Sequence, residues 1–289
     1  MSEARSRQAA GLQWKRLDRR RFGDVEDLLY RRELFCVSAC SRFLYRERFS
    51  SQLWGFSNPG DSLTALLLHS KGTLFPVSNS RDTAAFGPSL LYFLKKNYIH
   101  AVQGLREDVL ALEKVMEDTG RQSIDEIDYD LMILDNGPSP ETLRAGPPGL
   151  SIRKPELWEL DDIFPLQSAY ETEEVLPRGA VFNAAACRVN LKHILKEETA
   201  LVAELKGQII AKANTSAVSF TRAQIGGVFV HPGCRGQGIA RRVCAELAGI
   251  LINAGWGVSL FVKKRNRSAQ IVYRSIGFKP IADYRITYY

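Results

Sequence analysis

Two apolar runs, Thr199–Leu205 and Gln208–Thr215, flank the dipeptide Lys206-Gly207, the pattern of two strands joined by a tight hairpin. A third run, Ile225–Val230, predicts a strand that enters a glycine-rich stretch. After it, apolar residues recur at helical spacing over Arg241–Asn253. Upstream, Leu150–Arg153 predicts a strand. Apolar residues at Leu157, Leu160, Ile163, Phe164, Leu166 and Tyr170 predict a helix within Glu156–Glu173, and Asn190–Lys196 predicts another. Downstream come a buried strand, Val258–Val262, a short helix around Tyr273, and two terminal strands, Phe278–Ile281 and Arg285–Tyr288.

The N-terminal half carries a similar alternation. Asp24–Phe43 predicts one or two helices, Ser62–His69 and Gly72–Val77 a hairpin, Ile99–Val102 a strand leading through Gly104 into a helix over Arg106–Met116, and Ile127–Leu134 a further strand. Between the halves, residues 136–149 are rich in proline and glycine, the composition of a linker. The expected organisation is therefore an N-terminal α/β domain over residues 1–145 and a second over residues 150–289.

The chemistry lies where the third strand ends. Phe229–Ala240 reads Phe-Val-His-Pro-Gly-Cys-Arg-Gly-Gln-Gly-Ile-Ala and runs directly into a helix. Gly236 and Gly238 allow positive φ, so backbone N–H groups can converge beside the unpaired donors of the helix N-terminus, an arrangement that binds phosphate without a lysine. A Walker A loop would need Gly-Lys-Ser/Thr where Ile239, Ala240 and Arg241 stand. A dinucleotide fingerprint would need a third glycine at Arg241 and an acid near Val258–Phe261. Both are excluded. A simple tight turn is the bland competitor.

The stretch does meet the pattern Arg/Gln-x-x-Gly-x-Gly/Ala at Arg235, Gly238 and Ala240, and so resembles the GCN5-related N-acetyltransferases, the GNAT superfamily. A second motif, Asn-x-Ser-Ala-x-x-x-Tyr-x-x-x-Gly-Phe, is formed by Asn266, Ser268, Ala269, Tyr273, Gly277 and Phe278. The resemblance implies an α/β (α+β) GNAT fold with a mixed sheet whose central strands splay apart, preceded by a smaller, degenerate GNAT-like unit. It implies that Phe229, Val230, Arg235, Gly236, Gln237, Gly238, Ile239, Ala240, Arg241, Asn266 and Ser268 hold acetyl-CoA as cosubstrate. It also implies that Tyr273 protonates the departing thiolate. For Tyr273 the competing reading is a core aromatic, and for Asn266 a helix N-cap. The implied activity is transfer of acetyl to a primary amine by direct attack in a ternary complex. Two alternatives stand beside it: a transferase resembling mycothiol synthase, acting on the amine of a small thiol, and a non-catalytic acyl-CoA-binding regulatory protein. A different α/β module remains open for the N-terminal half.

Gly226 and Gly227 sit where a β-bulge would open the splay. No carboxylate occurs in Thr221–Val228, so the general base is sought in Glu173 and Glu174, acting directly or through water, or in Glu204 on a neighbouring strand. A solvated helix end is the bland reading of Glu173 and Glu174. His193 has a suitable intrinsic pKa, and His231, before Pro232, is expected to face solvent. In the N-terminal half, the turn Gln103–Asp108 sets Glu107 and Asp108 where phosphate would lie, so CoA binding is expected in the second half alone.

Charge agrees with that assignment. The formal net charge is +7, and residues 151–289 hold 19 Lys and Arg against 12 Asp and Glu, whereas residues 1–150 balance at 20 each. The excess suits an anionic ligand. A nucleic-acid surface is disfavoured because no aromatics interleave with the basic residues. Five cysteines, Cys36, Cys40, Cys187, Cys234 and Cys244, lack the spacing of a zinc site, so reduced thiols and no metal are expected. With no apolar run long enough to span a membrane and no signal-peptide pattern, a cytoplasmic location is expected, with an amine acceptor as partner and a homodimer allowed.

Overall fold

The computed structural model describes residues 14–46, 51–57, 60, 62–79 and 85–289. Contacts divide the chain into two compact units: residues up to Tyr129 together with Ala282–Tyr289, and Asp130–Ile281. The division differs from the one drawn at the proline-rich segment. Both ends of residues 136–149 lie in the second unit, and the C-terminus returns to the first.

The first unit contains β1 (Lys15–Arg16), α1 (Phe22–Leu44), β2 (Gln52–Ser57), β3 (Leu63–Ser70), β4 (Thr73–Ser78), α2 (Leu91–Lys96), β5 (Ala101–Leu105), α3 (Arg106–Glu117) and residues 125–129 of β6 (Asp125–Leu134). β2, β3 and β4 are antiparallel, and β5 joins β4 in parallel. The β3–β4 hairpin turns on Lys71 (φ 49°) and Gly72 (φ 78°), the paired left-handed residues that match strand twist. Its core gathers Leu67, Leu74, Phe93, Val102, Val109 and Leu112.

β12 (Lys279–Tyr288) replaces the two terminal strands expected from the pattern. Its Tyr284–Tyr288 segment pairs antiparallel with Ala101–Leu105. Arg285 is 7% exposed and its guanidinium reaches Glu113 at 2.8 Å, Asp128 at 3.1 Å and Glu126. Three carboxylates around one buried cation offset the desolvation that would otherwise expel it. Ala282–Tyr288 is thus an integral strand segment of the first unit.

Topology also moves the expected counterpart of the phosphate turn. The parallel pair of this unit is β4 and β5, so the counterpart by topology is the segment that follows Ser78, and residues 80–84 of it lie outside the described residues. There the sequence offers one glycine, Gly87, followed by proline. Gln103–Asp108 is not that turn. Asp108 is buried in the first turn of α3, where its carboxylate accepts from the Ser78 hydroxyl (2.6 Å) and amide (3.3 Å), and burial raises its pKa to about 6.

The second unit runs through residues 130–134 of β6, β7 (Ser151–Arg153), α4 (Leu160–Tyr170), a π-helical turn (Glu171–Val175), α5 (Ala184–Glu197), β8 (Ala200–Leu205), β9 (Gln208–Val218), β10 (Arg222–Val230), α6 (Ile239–Asn253), β11 (Gly257–Lys263) and α7 (Arg267–Ile276). Its strand order is β7-β8-β9-β10-β11-β6. Period-two alternation sorts the faces: Leu201, Ala211 and Ala213 join clusters with α6 residues, whereas Val202 packs with Ile163 of α4 and Leu191 of α5. By the same alternation Lys212 and Asn214 of β9 point to the α4–α5 side. Met132 and Leu134 of β6 belong to the core formed with Val243, Leu247 and Leu260. Among the described residues no helix is long and apolar enough to cross a membrane.

Deletion of Ala282–Tyr289 should remove hydrogen-exchange protection from Val102–Leu105, far away in sequence, and lower the unfolding temperature of the first unit. Unchanged protection of those amides in the shortened chain would contradict the pairing.

Candidate active site

Parallel pairing between β10 and β11 runs from Arg222–Gly257 to Ile225–Leu260 and stops, although the strands continue to Val230 and Lys263. The cause lies on the other edge of β10. Against β9, Gly226 faces Asn214 and Phe229 faces Lys212, so one extra residue is accommodated in β10. This is a β-bulge, and it bends the strand away from its parallel neighbour. Gly227 takes φ +59°, and a Cβ there would fall 1.9 Å from Asn214 Oδ1. Only glycine fits.

Beyond the splay, the chain passes through a short turn at Pro232–Cys234 and enters α6 with Gly236 at φ +80° and Gly238, its N-cap, at φ +78°. No side chain caps the first turn of α6, so its leading N–H groups are left to another partner. Gly236 and Gln237 are exposed, Ala240 is half-buried, and Ile239 is buried as the apolar anchor of the turn. Arg241 Nε is buried without a partner. Phe229 and Val230 lie in the core, so their backbone rather than their side chains can serve a ligand. Arg235 is turned back: its Nε donates to Val230 O (3.1 Å), its plane lies over Phe229, and its terminal nitrogen meets Glu173 at 2.9 Å.

The second motif lies at the other mouth of the splay. Asn266 is the N-cap of α7, its Oδ1 accepting from the Ala269 amide (3.1 Å) and the Ser268 hydroxyl (3.0 Å). Its Nδ2 donates to Glu174 (3.1 Å), whose other oxygen meets Lys263 at 3.1 Å. Glu173 and Glu174, expected as bases, are therefore both engaged, one with each motif. Glu204 is held by Arg153 at 2.7 and 2.9 Å, at the β7–β8 edge. His231 is exposed, and its Nδ1 accepts from the Gly233 amide.

Tyr273 is buried, edge-on to Phe278 and among core residues. Burial raises its pKa well above the ordinary value, so it holds its proton at neutral pH. These contacts bear out the core reading of Tyr273. Pattern reading missed a second tyrosine. Tyr170, at the end of α4, accepts a hydrogen bond from the Gly227 amide (3.3 Å), and burial raises its pKa to about 12. Also missed are Lys212 and Asn214, two polar residues at i and i+2 in an apolar strand, and Glu198. That interruption of the apolar run was the available signal.

Residues 160–278 match the family model described as Acetyltransferase (GNAT) family. This segment is a GNAT domain. No curated protein matches the sequence. Among solved structures, a Drosophila protein aligns over 96% of this chain and 99% of its own with TM-score 0.67 at 12% identity. A GCN5-related N-acetyltransferase from Sphaerobacter thermophilus aligns over 96% and 94% with TM-score 0.63 at 16% identity. A tandem GNAT protein from the clavulanic acid biosynthesis pathway aligns over 96% and 97% with TM-score 0.60 at 14% identity. At such identities the likeness is one of fold alone, the GNAT fold.

If the glycine turn cradles a pyrophosphate, Gly238→Val should lower acetyl-CoA affinity at least roughly tenfold, because a β-branched residue resists positive φ and would crowd Gly146 N, 3.3 Å from the added Cβ. Calorimetry showing wild-type affinity would remove the turn from the site. Glu173→Gln should instead tighten binding by a factor of about two to five at low salt, since a half-exposed pair of this kind restrains Arg235 only modestly, and the gain should fade in high salt.

Proposed function

We propose that the protein is an acetyl-CoA-dependent N-acetyltransferase acting on a primary amine. The observation that carries this reading is the conjunction, in one GNAT domain, of an uncapped helix N-terminus behind two left-handed glycines and a pair of parallel strands forced apart by a bulge. The residues fit the cosubstrate: the turn offers backbone donors for a pyrophosphate, the splayed edges offer unpaired peptide groups for the amides of a pantetheine arm, and Arg241 has a donor to spare.

Bound acetyl-CoA supplies a thioester carbonyl as electrophile. The protein's part is to hold the amine beside it, stabilise the charge that develops on the carbonyl oxygen, and manage two protons. Backbone N–H groups at the bulge are the fixed donors. The C–N bond forms as the C–S bond breaks, the amine nitrogen loses a proton to the acidic rim of Glu173 and Glu174 or to water, and the departing sulfur receives one. Tyr273 keeps the proton needed for the second transfer. Its raised pKa lessens the driving force, so donation is concerted with departure of the sulfur.

One observation favours a second reading, an acyl-CoA-binding regulatory protein without turnover: both candidate bases are tied into ion pairs or hydrogen bonds with the cofactor motifs. Thiol release separates the two. Incubated with acetyl-CoA and a panel of amines, polyamines, amino acids, aminoglycosides and peptides, the protein should release CoA thiol with at least one acceptor class. Binding without release across the panel would favour the regulatory reading.

Tyr273→Phe should preserve acetyl-CoA affinity and lower kcat by roughly 10- to 10⁴-fold. Normal turnover in that variant would leave Tyr273 a core residue only.

A further inference from the structure

The two peptides that flank Gly227 are each held by a buried group that no motif announces. The Gly227 N–H donates to Tyr170 Oη at 3.3 Å, and the Gly227 carbonyl accepts from Lys212 Nζ at 2.8 Å. Lys212 is 3% exposed. Its ammonium also donates to Asn214 Oδ1 (2.9 Å) and lies 5.0 Å from the centre of the Tyr170 ring, so the charge is wrapped by two acceptors and a π face. Asn214 relays the contact outward, donating from Nδ2 to Glu198 at 3.0 Å and to Thr215 O at 2.8 Å.

A trans peptide sets its C=O and N–H in opposite directions. With Gly227 O fixed toward Lys212, the N–H of Val228 points away from it, on the stretch of β10 where pairing to β11 has ended. A positive charge on the carbonyl also polarises that peptide and strengthens the N–H as a donor. We propose that Lys212 is a positioning residue for acetyl transfer, its charge, supported through Asn214 by Glu198, locking the Gly227–Val228 peptide so that the bulge presents its amide to the reacting carbonyl oxygen. The inference rests on the acetyltransferase reading and adds to it the group that preorganises the donor.

The charged and titratable groups facing Lys212 come from every element around it: Glu198 before β8, Glu171 on the π turn, Cys187 of α5 and Tyr170 of α4. Burial pushes its pKa down to about 8, and Glu198 and Glu171 oppose that fall. Glu198 is itself raised to about 7 by burial. Lys212 therefore discharges as pH rises through about 8, and the peptide lock weakens with it. Neutralising Glu198 removes an opposing effect and moves the discharge to lower pH.

The test combines three measurements on the full chain. Wild-type thiol release, at saturating acetyl-CoA and with the acceptor found in the panel, should show kcat falling on the alkaline side with a midpoint near 8. Glu198→Gln should shift that limb to lower pH. Lys212→Met should lower kcat by roughly 10- to 100-fold and leave acetyl-CoA affinity within about twofold, with partial recovery in Lys212→Arg. A wild-type enzyme with no turnover would sink the underlying reading. An active wild type whose alkaline limb is absent, or unmoved by Glu198→Gln, overturns the proposal, even where Lys212→Met fails to fold. A folded Lys212→Met with normal kcat overturns it as well.

Discussion

A buried ammonium on a strand carbonyl is the contact around which the second unit is arranged. Lys212 would be expelled from the protein interior were its donors unpaired, and its place is secured by the Gly227 carbonyl, Asn214 and the nearby carboxylate of Glu198. The Gly227 carbonyl is available because the bulge turns it out of the ladder. Glycine is required because a Cβ would strike Asn214 Oδ1. The bulge in turn ends the pairing of β10 with β11, and the opening so created lies between the two motifs that are expected to hold acetyl-CoA. Without the lysine the Gly227 carbonyl would lose its donor, and a side chain in place of the glycine would strike Asn214 and disturb the bulge.

The π turn is tied to both mouths of the splay by charge. The π turn after α4 presents Glu173 to Arg235 and Glu174 to Lys263 and Asn266, so one short segment is tied to both mouths of the splay. Under the proposed function, a pyrophosphate at the glycine turn would compete with Glu173 for Arg235. Such partly exposed pairs are weak, and a weak tie is what an exchangeable contact requires.

Much of this was legible in the sequence. Strand, glycine turn and helix from Ile225 to Asn253 are local events, written in apolar spacing and in two glycines, and the N-cap role of Asn266 is likewise local. What escaped was non-local. Lys212 meets Gly227 across two strands, Glu198 meets Asn214 across a hairpin, and Tyr170 reaches Gly227 from a helix, so no spacing rule joins them. The extended, continuous β12 was hidden because Lys279–Ile281 and Ala282–Tyr288 serve different units, which breaks a single alternation into two apparent strands. The linker composition of residues 136–149 misplaced the boundary for a related reason: Ala145 and Gly146 lie against Gly238, so the segment is part of the second unit.

Acetyl-CoA is expected at the glycine turn before α6 alone, since the sequence between β4 and α2 carries a single glycine, Gly87, followed by proline. Isothermal titration of the full chain with acetyl-CoA measures this most directly. One equivalent bound per chain is the predicted result, whereas two equivalents, or none, would contradict it.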